Sequence, residues 1–332
     1  MSSQPDVTNL ERQIRSQPQE LERLLRSSQT REQVHLAAEG LHRARRIWVV
    51  GTGTSLHAAA LGAGMIQEAG RSAQAVSAMR FVRWAPIVGP QDGVIVITHT
   101  AETAYALSAH SLASDAGLDV VMICRRGAGF PHMIETVDRE TSETYTVSYT
   151  AALMVLAMIA GEMGADSVDE AAMGRVPEAV AAALADPGID AVTTPARLLV
   201  ITGAGPASVT AREGALKVRE AGRLLAEGYD AEYLLHGSAV PLSGEDRLVT
   251  LGPDDADGFM DGLAAAAQRA GVPLSRLEES SGLPGVLAQI PLTVRLQLLA
   301  LRIAAERSQD PDVVITGPWA DGSLWAIGAP RR

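Results

Sequence analysis

One cysteine in 332 residues, Cys124, leaves the chain no internal disulfide and no cysteine-based metal cluster. It closes the apolar run DVVMIC, which reads as a buried strand-end thiol rather than a nucleophile. Lysine is equally scarce: 27 of the 28 cationic residues are arginine, and Lys217 stands alone. Aromatic residues make up only 4%, which disfavours an aromatic-rich β-sandwich and fits layered α/β packing. No apolar run approaches the ~20 residues of a membrane span, and the opening MSSQPDVTNLERQIRSQ is too polar for a signal peptide. A cytoplasmic protein with no membrane partner is therefore expected. The net charge of −11, without a basic stripe, excludes nucleic acid as a partner. A small anion remains admissible, because helix N-termini and backbone amides hold phosphate without net positive charge.

What is present is apolar and layered. A content of 47% hydrophobic and 20% charged residues over this length predicts two well-packed domains. The segment LERQIRSQPQELERLLR has helical spacing and predicts an N-terminal helical arm interrupted at Gln17-Pro18. Short apolar runs at 47–50, 94–97 and 120–123 then read as parallel strands buried on both faces. The pattern restarts after ALADPGIDAVTTPAR: RIWVVGTGTSLHAAALGAG from Arg46 resembles RLLVITGAGPASVTAREGA from Arg197, with Gly51 and Gly53 lying 152 residues before Gly203 and Gly205. Two copies of a doubly wound α/β unit are expected, as an arm over 1–30 and domains over 31–168 and 190–332.

Three stretches carry candidate chemistry. GTGTS (51–55) sets two glycines at a sharp bend and hydroxyls at a helix start, which suits a phosphate cradle, a plain helix cap or a dinucleotide turn. The last would need glycine where Leu56 stands. THTAET (98–103) follows the strand VIVI, and its hydroxyls would converge with those of GTGTS if the two strands are neighbours. In REGALKVRE (212–220), Glu213, Lys217 and Glu220 share one helical stripe beside an apolar surface. The stripe is either a desolvated proton shuttle or an exposed ion-pair ladder. His236, in YLLHGSAV, reads as structural when taken alone. His57, His110 and the other histidines show no paired ligand spacing, so no metal is expected.

Together these stretches resemble the sugar isomerase (SIS) family, in particular the isomerase domain of glutamine-dependent glucosamine-6-phosphate synthase and stand-alone glucosamine-6-phosphate deaminases. ERQIRSQP is similar to the family's E-I-x-x-Q-P, GTGTS to C-G-T-S, ITHTAET to L-S-Q-S-G-E-T, REGALKVRE to L-E-G-A-L-K-L-K-E, LLHG to L-K-H-G, and LTVRLQLLA to T-I-P-L-Q-L-L-A. The resemblance implies two αβα subdomains with parallel sheets, a dimer with a shared site, a sugar 6-phosphate substrate and no cofactor. By position, Thr54, Ser55, Thr98, His99, Thr100, Thr103 and Ser148 would hold phosphate and sugar. Glu220 would move the proton between C1 and C2, Lys217 would tune it, and His236 would open the ring from the partner subunit.

The departures from the family are specific. There is no glutaminase segment or cysteine at position 2, so glutamine is not expected to supply ammonia, and the tail GPWADGSLWAIGAPRR has no lysine for a Schiff base. His99 and Ala101 replace Gln and Gly, SYT at 148–150 replaces S-T-K, and Arg295 replaces a proline. The function expected is aldose–ketose isomerisation of an amino-sugar 6-phosphate, most concretely deamination of glucosamine 6-phosphate to fructose 6-phosphate and ammonia. A fructosamine-6-phosphate deglycase and a non-catalytic phosphosugar-binding regulator are the alternatives.

Overall fold

The computed structural model describes residues 7–84, 88–252 and 257–330. It divides into two compact units that interleave along the chain: a first unit of Pro18–Glu140, Val147–Pro177 and the chain from Ile315, and a second of Thr141–Thr146, Glu178–Val314 and the chain before Pro18.

The helix α1 (Asn9–Arg26) runs without a break through Pro18, contrary to the interruption expected there. Proline removes the N–H that would have bonded the Ile14 carbonyl. That carbonyl is taken instead by the side-chain amide of Gln17, whose Nε2 donates to Ile14 O at 3.0 Å and to Gln297 Oε1 at 2.7 Å. Gln17 is fully buried, so a local sequence signal for a kink is cancelled by one side-chain donor.

After α2 (Ser28–His42) the first unit alternates strand and helix: β1 (Arg46–Gly51), α3 (Thr54–Glu68), β2 (Ala73–Ser77), α4 (Ala78–Arg83), β3 (Asp92–Ile97), α5 (Ala104–Asp115), β4 (Asp119–Cys124), β5 (Met133–Glu135), α6 (Val147–Glu162) and α7 (Glu170–Gly174). The five strands are all parallel, in the order β2-β1-β3-β4-β5. The expected apolar runs form β1, β3 and β4, and their burial on both faces explains their unbroken hydrophobicity. Trp48, Val50, Phe81, Val94 and Val96 centre one core. On the other face α6 is buried from Val147 to Ala160, and Gly62 of α3 lets Leu156 approach: a β-carbon there would meet its Cδ1 at 2.7 Å.

In the second unit α8 (Val176–Ala185) leads to β6 (Leu199–Gly203), α9 (Pro206–Gly222), β7 (Ala226–Asp230), α10 (Ala231–Tyr233), β8 (Arg247–Leu251), α11 (Phe259–Arg269), β9 (Leu274–Leu277) and α12 (Gln289–Glu306). Its four strands are parallel, in the order β7-β6-β8-β9. The short α13 (Gly322–Trp325) returns to the first unit.

Each sheet is pinned at its amino-terminal edge by the same kind of ion pair. Asp92 accepts from Arg46 (2.7 Å), Trp48 Nε1 (3.1 Å) and Gly89 N–H (3.0 Å), and Asp246 accepts from Arg197 Nε (2.9 Å) and Ser243 N–H (2.8 Å). Burial pushes both carboxyls up, but the guanidinium and amide donors outweigh it and hold them below the usual range.

Replacing Gln17 by leucine fills similar volume but leaves the Ile14 carbonyl without its donor. The expected cost is about 1–3 kcal/mol, read as a lower midpoint in chemical denaturation.

Candidate active site

The strand-to-helix turn after β1 is built by steric exclusion. A β-carbon on Gly51 would lie 2.3 Å from the Ser55 carbonyl oxygen, so only glycine lets α3 start this close to the strand. Gly53 then takes φ +57° as the N-cap and offers no side-chain cap, and Thr54 and Ser55 open the helix half-buried. The second unit repeats the construction at Gly203 and Gly205, the latter at φ +54°, with Pro206 opening α9.

The second hydroxyl-rich turn follows β3, and β1 and β3 are hydrogen-bonded neighbours. The two turns therefore emerge from adjacent carboxyl ends of a parallel sheet, at the point where the strand order reverses, which is where such folds open a crevice. The structure thus meets the condition for convergence and brings Thr54, Ser55, Thr98, His99, Thr100 and Thr103 to one edge. Thr98 is buried, and its Oγ1 donates to Thr103 Oγ1 at 3.4 Å. The Glu102 N–H donates to Thr100 Oγ1 at 3.2 Å, and Thr103 is the N-cap of α5 with no side-chain cap bond. Ala101 holds φ +57°, a left-handed conformation natural to the glycine of the resembling motif and strained for alanine.

His99 is fixed from both sides. Its carbonyl accepts the Arg125 N–H at 2.9 Å, and its Nε2 accepts the Glu140 N–H at 3.0 Å, which leaves the ring proton on Nδ1. Burial, followed by the charges of Arg125 and Arg139, lowers its pKa to about 4. A neutral imidazole offers one acceptor and one donor, the same two kinds of group as the amide of the glutamine it replaces but fewer of each. Glu140, itself buried, also accepts the Ser148 N–H at 2.9 Å, so Ser148 at the start of α6 belongs to the same cluster. Sequence reasoning missed Glu140, which sits in a polar run, DRETSET, with no periodicity to mark one carboxylate as buried.

In the second unit α9 is wedged tightly. β-Carbons at Gly214 and Gly222 would lie 2.4 Å from Leu296 Cδ1 and 2.7 Å from Ile303 Cγ2 of α12, and one at Gly228 of β7 would lie 2.4 Å from the Ala211 carbonyl. The packing buries the stripe read from the sequence. Glu213 and Lys217 are fully buried and the Glu220 side chain is 19% exposed, so the exposed-ladder alternative falls. Lys217 Nζ lies 3.5 Å from Glu213 Oε1 and 2.5 Å from Glu220 Oε2. Burial raises the Glu220 pKa, Lys217 opposes this, nearby Glu213 adds to it, and the net shift is upward. A carboxyl with raised pKa, reachable by solvent and oriented by an ammonium, is suited to taking up and returning a proton.

His236 lies in a kinked turn, Leu234–Ser238, after α10, where its own backbone (φ −82°, ψ 43°) and that of Gly237 (φ +108°) leave helical geometry. Its side chain is 73% exposed and its Nε2 faces Glu232 at 3.9 Å, so within this chain it is not brought against Glu220. Arg295, in place of the proline, pairs with the buried Glu279 at 3.2 Å. Cys124 is buried and its thiol is pushed up to about 12, first by desolvation and then by Glu135, which leaves it unreactive. Among the described residues no three His, Cys, Asp or Glu side chains group to hold a metal ion, and no helix is long and apolar enough to cross a membrane.

Residues 40–160, which contain both hydroxyl turns and Ser148, match the SIS domain family model. The chain carries a SIS domain. The glutamine-fructose-6-phosphate aminotransferase (isomerizing) of Pyrococcus horikoshii is 30% identical over 307 residues, 83% of this chain and 51% of that protein. That of Chlorobaculum tepidum is 32% identical over 235 residues, 65% of this chain and 38% of that protein. The chain thus spans about half or less of the length of these relatives. Among solved structures, the tagatose-6-phosphate ketose/aldose isomerase of Escherichia coli superposes with TM-score 0.80 at 20% identity, covering 96% of this chain and 99% of that one. The glucosamine-6-phosphate deaminase of Thermotoga maritima does so with TM-score 0.74 at 18% identity, covering 92% and 97%. At these identities the likeness establishes a shared fold.

Because His99 is protonated more readily in the unfolded chain than in the folded one, stability is expected to fall as pH drops from about 6.5 to about 4, by up to about 3 kcal/mol, and to be flat in this contribution above 6.5. His99→Gln keeps the acceptor for Glu140 N–H and removes the titration. The difference in Tm between variant and wild type should therefore change across that window and nowhere else.

Proposed function

We propose that the protein is a phosphosugar aldose–ketose isomerase acting on an amino-sugar 6-phosphate, most concretely a deaminase converting glucosamine 6-phosphate and water to fructose 6-phosphate and ammonia. The observation that carries this reading is the buried Lys217–Glu220 pair, with its raised carboxyl pKa and remaining access to solvent. The names of the isomerase and deaminase neighbours, and of the aminotransferase relatives, agree with it.

In this reading the strand-end turns hold the phosphate through Thr98, Thr100, Thr103 and the start of α5, while Thr54, Ser55, His99 and Ser148 contact phosphate or sugar. Ring opening exposes the C1 aldehyde. Glu220 removes the C2 proton, giving an enaminol whose developing charge Lys217 steadies, and returns the proton to C1. The C2 ketimine that results is hydrolysed by water, releasing ammonia without any enzyme lysine. His236 assists ring opening from a second subunit. Its exposure beside Tyr233, Leu235 and Val240, which are 65%, 49% and 85% exposed, gives an apolar patch suited to a subunit contact.

Two measurements test this. Glu220→Gln should bind glucosamine 6-phosphate within a few fold of wild type while ammonia release falls by about 10²–10⁴-fold; full turnover by the variant would remove Glu220 as the base. An equimolar mixture of Glu220→Gln and His236→Ala subunits, each inactive alone, should recover about a quarter of wild-type activity, because half the dimers contain one intact shared site. No recovery after subunit exchange would sink the shared site.

A further inference from the structure

Three arginines lie on the chain segments that hydrogen-bond to the β3 turn, and their charges have different fates. Arg139 is clamped by Glu102 through two hydrogen bonds of 2.6 and 2.9 Å. Arg126 is clamped by Asp138 through two of 2.8 and 2.6 Å. Arg125 has no such partner: among the described residues no carboxylate oxygen lies within 4.0 Å of its guanidinium. Its Nη1 donates to the Arg126 carbonyl at 3.0 Å, and its Nε is buried with no hydrogen bond.

Arg125 is also locked to the turn. It is the first residue beyond β4, at the carboxyl edge of the sheet, and its N–H donates to the His99 carbonyl. Its charge reaches the His99 ring, where it helps to keep the imidazole neutral. A half-buried guanidinium with no carboxylate beside it costs free energy unless an anion compensates its charge. The same edge carries the hydroxyls of the turn and the uncapped N-terminus of the 12-residue α5. Hydroxyls and amide dipoles can hold a phosphate, and a guanidinium at the same edge adds the full positive charge that they lack.

We propose that Arg125 is the guanidinium that ion-pairs with the substrate's phosphate dianion, and that it sets the preference for phosphorylated over free sugar. The inference rests on the reading of the two turns as a sugar-phosphate cradle. The planar fork supplies two parallel donors, which the hydroxyls of the turn do not.

The test uses the full chain and two probes, inorganic phosphate and glucosamine 6-phosphate, measured by titration calorimetry and by ligand-induced change in Tm. Arg125→Gln should weaken both probes by about 10–100-fold and raise KM, with kcat at saturation near wild type, while Arg125→Lys recovers part of the affinity. Arg126→Gln, which loses only an exposed pair, should bind both as wild type does. Without ligand, Arg125→Gln should melt at or above the wild-type Tm, since it removes an uncompensated charge. A lower Tm with the phosphate-induced shift intact would assign Arg125 a structural role and overturn the proposal, as would equal affinity of variant and wild type. Wild-type protein that binds inorganic phosphate but not glucosamine 6-phosphate would defeat the proposed substrate and leave the role of Arg125 standing. Binding of neither would overturn both.

Discussion

The parallel pairing of β1 with β3 is the constraint on which the candidate cradle depends. Because all five strands of the first sheet run the same way, each strand's carboxyl end opens on one edge, and the order β2-β1-β3-β4-β5 sets the turns after β1 and β3 side by side. Gly51 makes the first turn sterically possible, and Ala101 holds the second in a conformation that costs an alanine of order 1 kcal/mol. Strain kept at this spot is consistent with a turn shaped for a ligand rather than for stability alone.

Charge is distributed by the same geometry. At the amino-terminal edges the pairs Arg46–Asp92 and Arg197–Asp246 are satisfied by additional backbone and side-chain donors and serve to hold strands together. Away from those edges the ionisable groups are poised instead: a neutral His99, a carboxyl at Glu220 with raised pKa, and a guanidinium at Arg125. Lys217 answers why one cation in a chain of arginines is an ammonium. Fully buried between Glu213 and Glu220, a compact ammonium fits where a planar fork would bring five N–H donors to satisfy.

Legibility followed burial. The central strands β1, β3 and β4 were readable because burial on both faces demands uninterrupted apolar runs. The edge strands AQAVS and AEGYD, β2 and β7, were not, since one flank and part of a face meet solvent and the hydrophobic signal is lost. The break expected at Gln17-Pro18 failed because a buried amide from the preceding residue replaced the missing donor, and its second partner, Gln297, lies 280 residues away. Glu140 was invisible for the same reason: its importance comes from His99 and Ser148 meeting it in space.

The sequence by itself determined the parallel α/β architecture, the two glycine turns, and the identity of the stripe Glu213, Lys217, Glu220, because periodicity and steric need act over a few neighbouring residues. Only the tertiary structure decided that the stripe is buried rather than exposed, that His99 is neutral, and that Arg125 stands without a carboxylate while its neighbours are paired. Desolvation and charge compensation depend on which distant side chains pack against a group, and local sequence does not encode that.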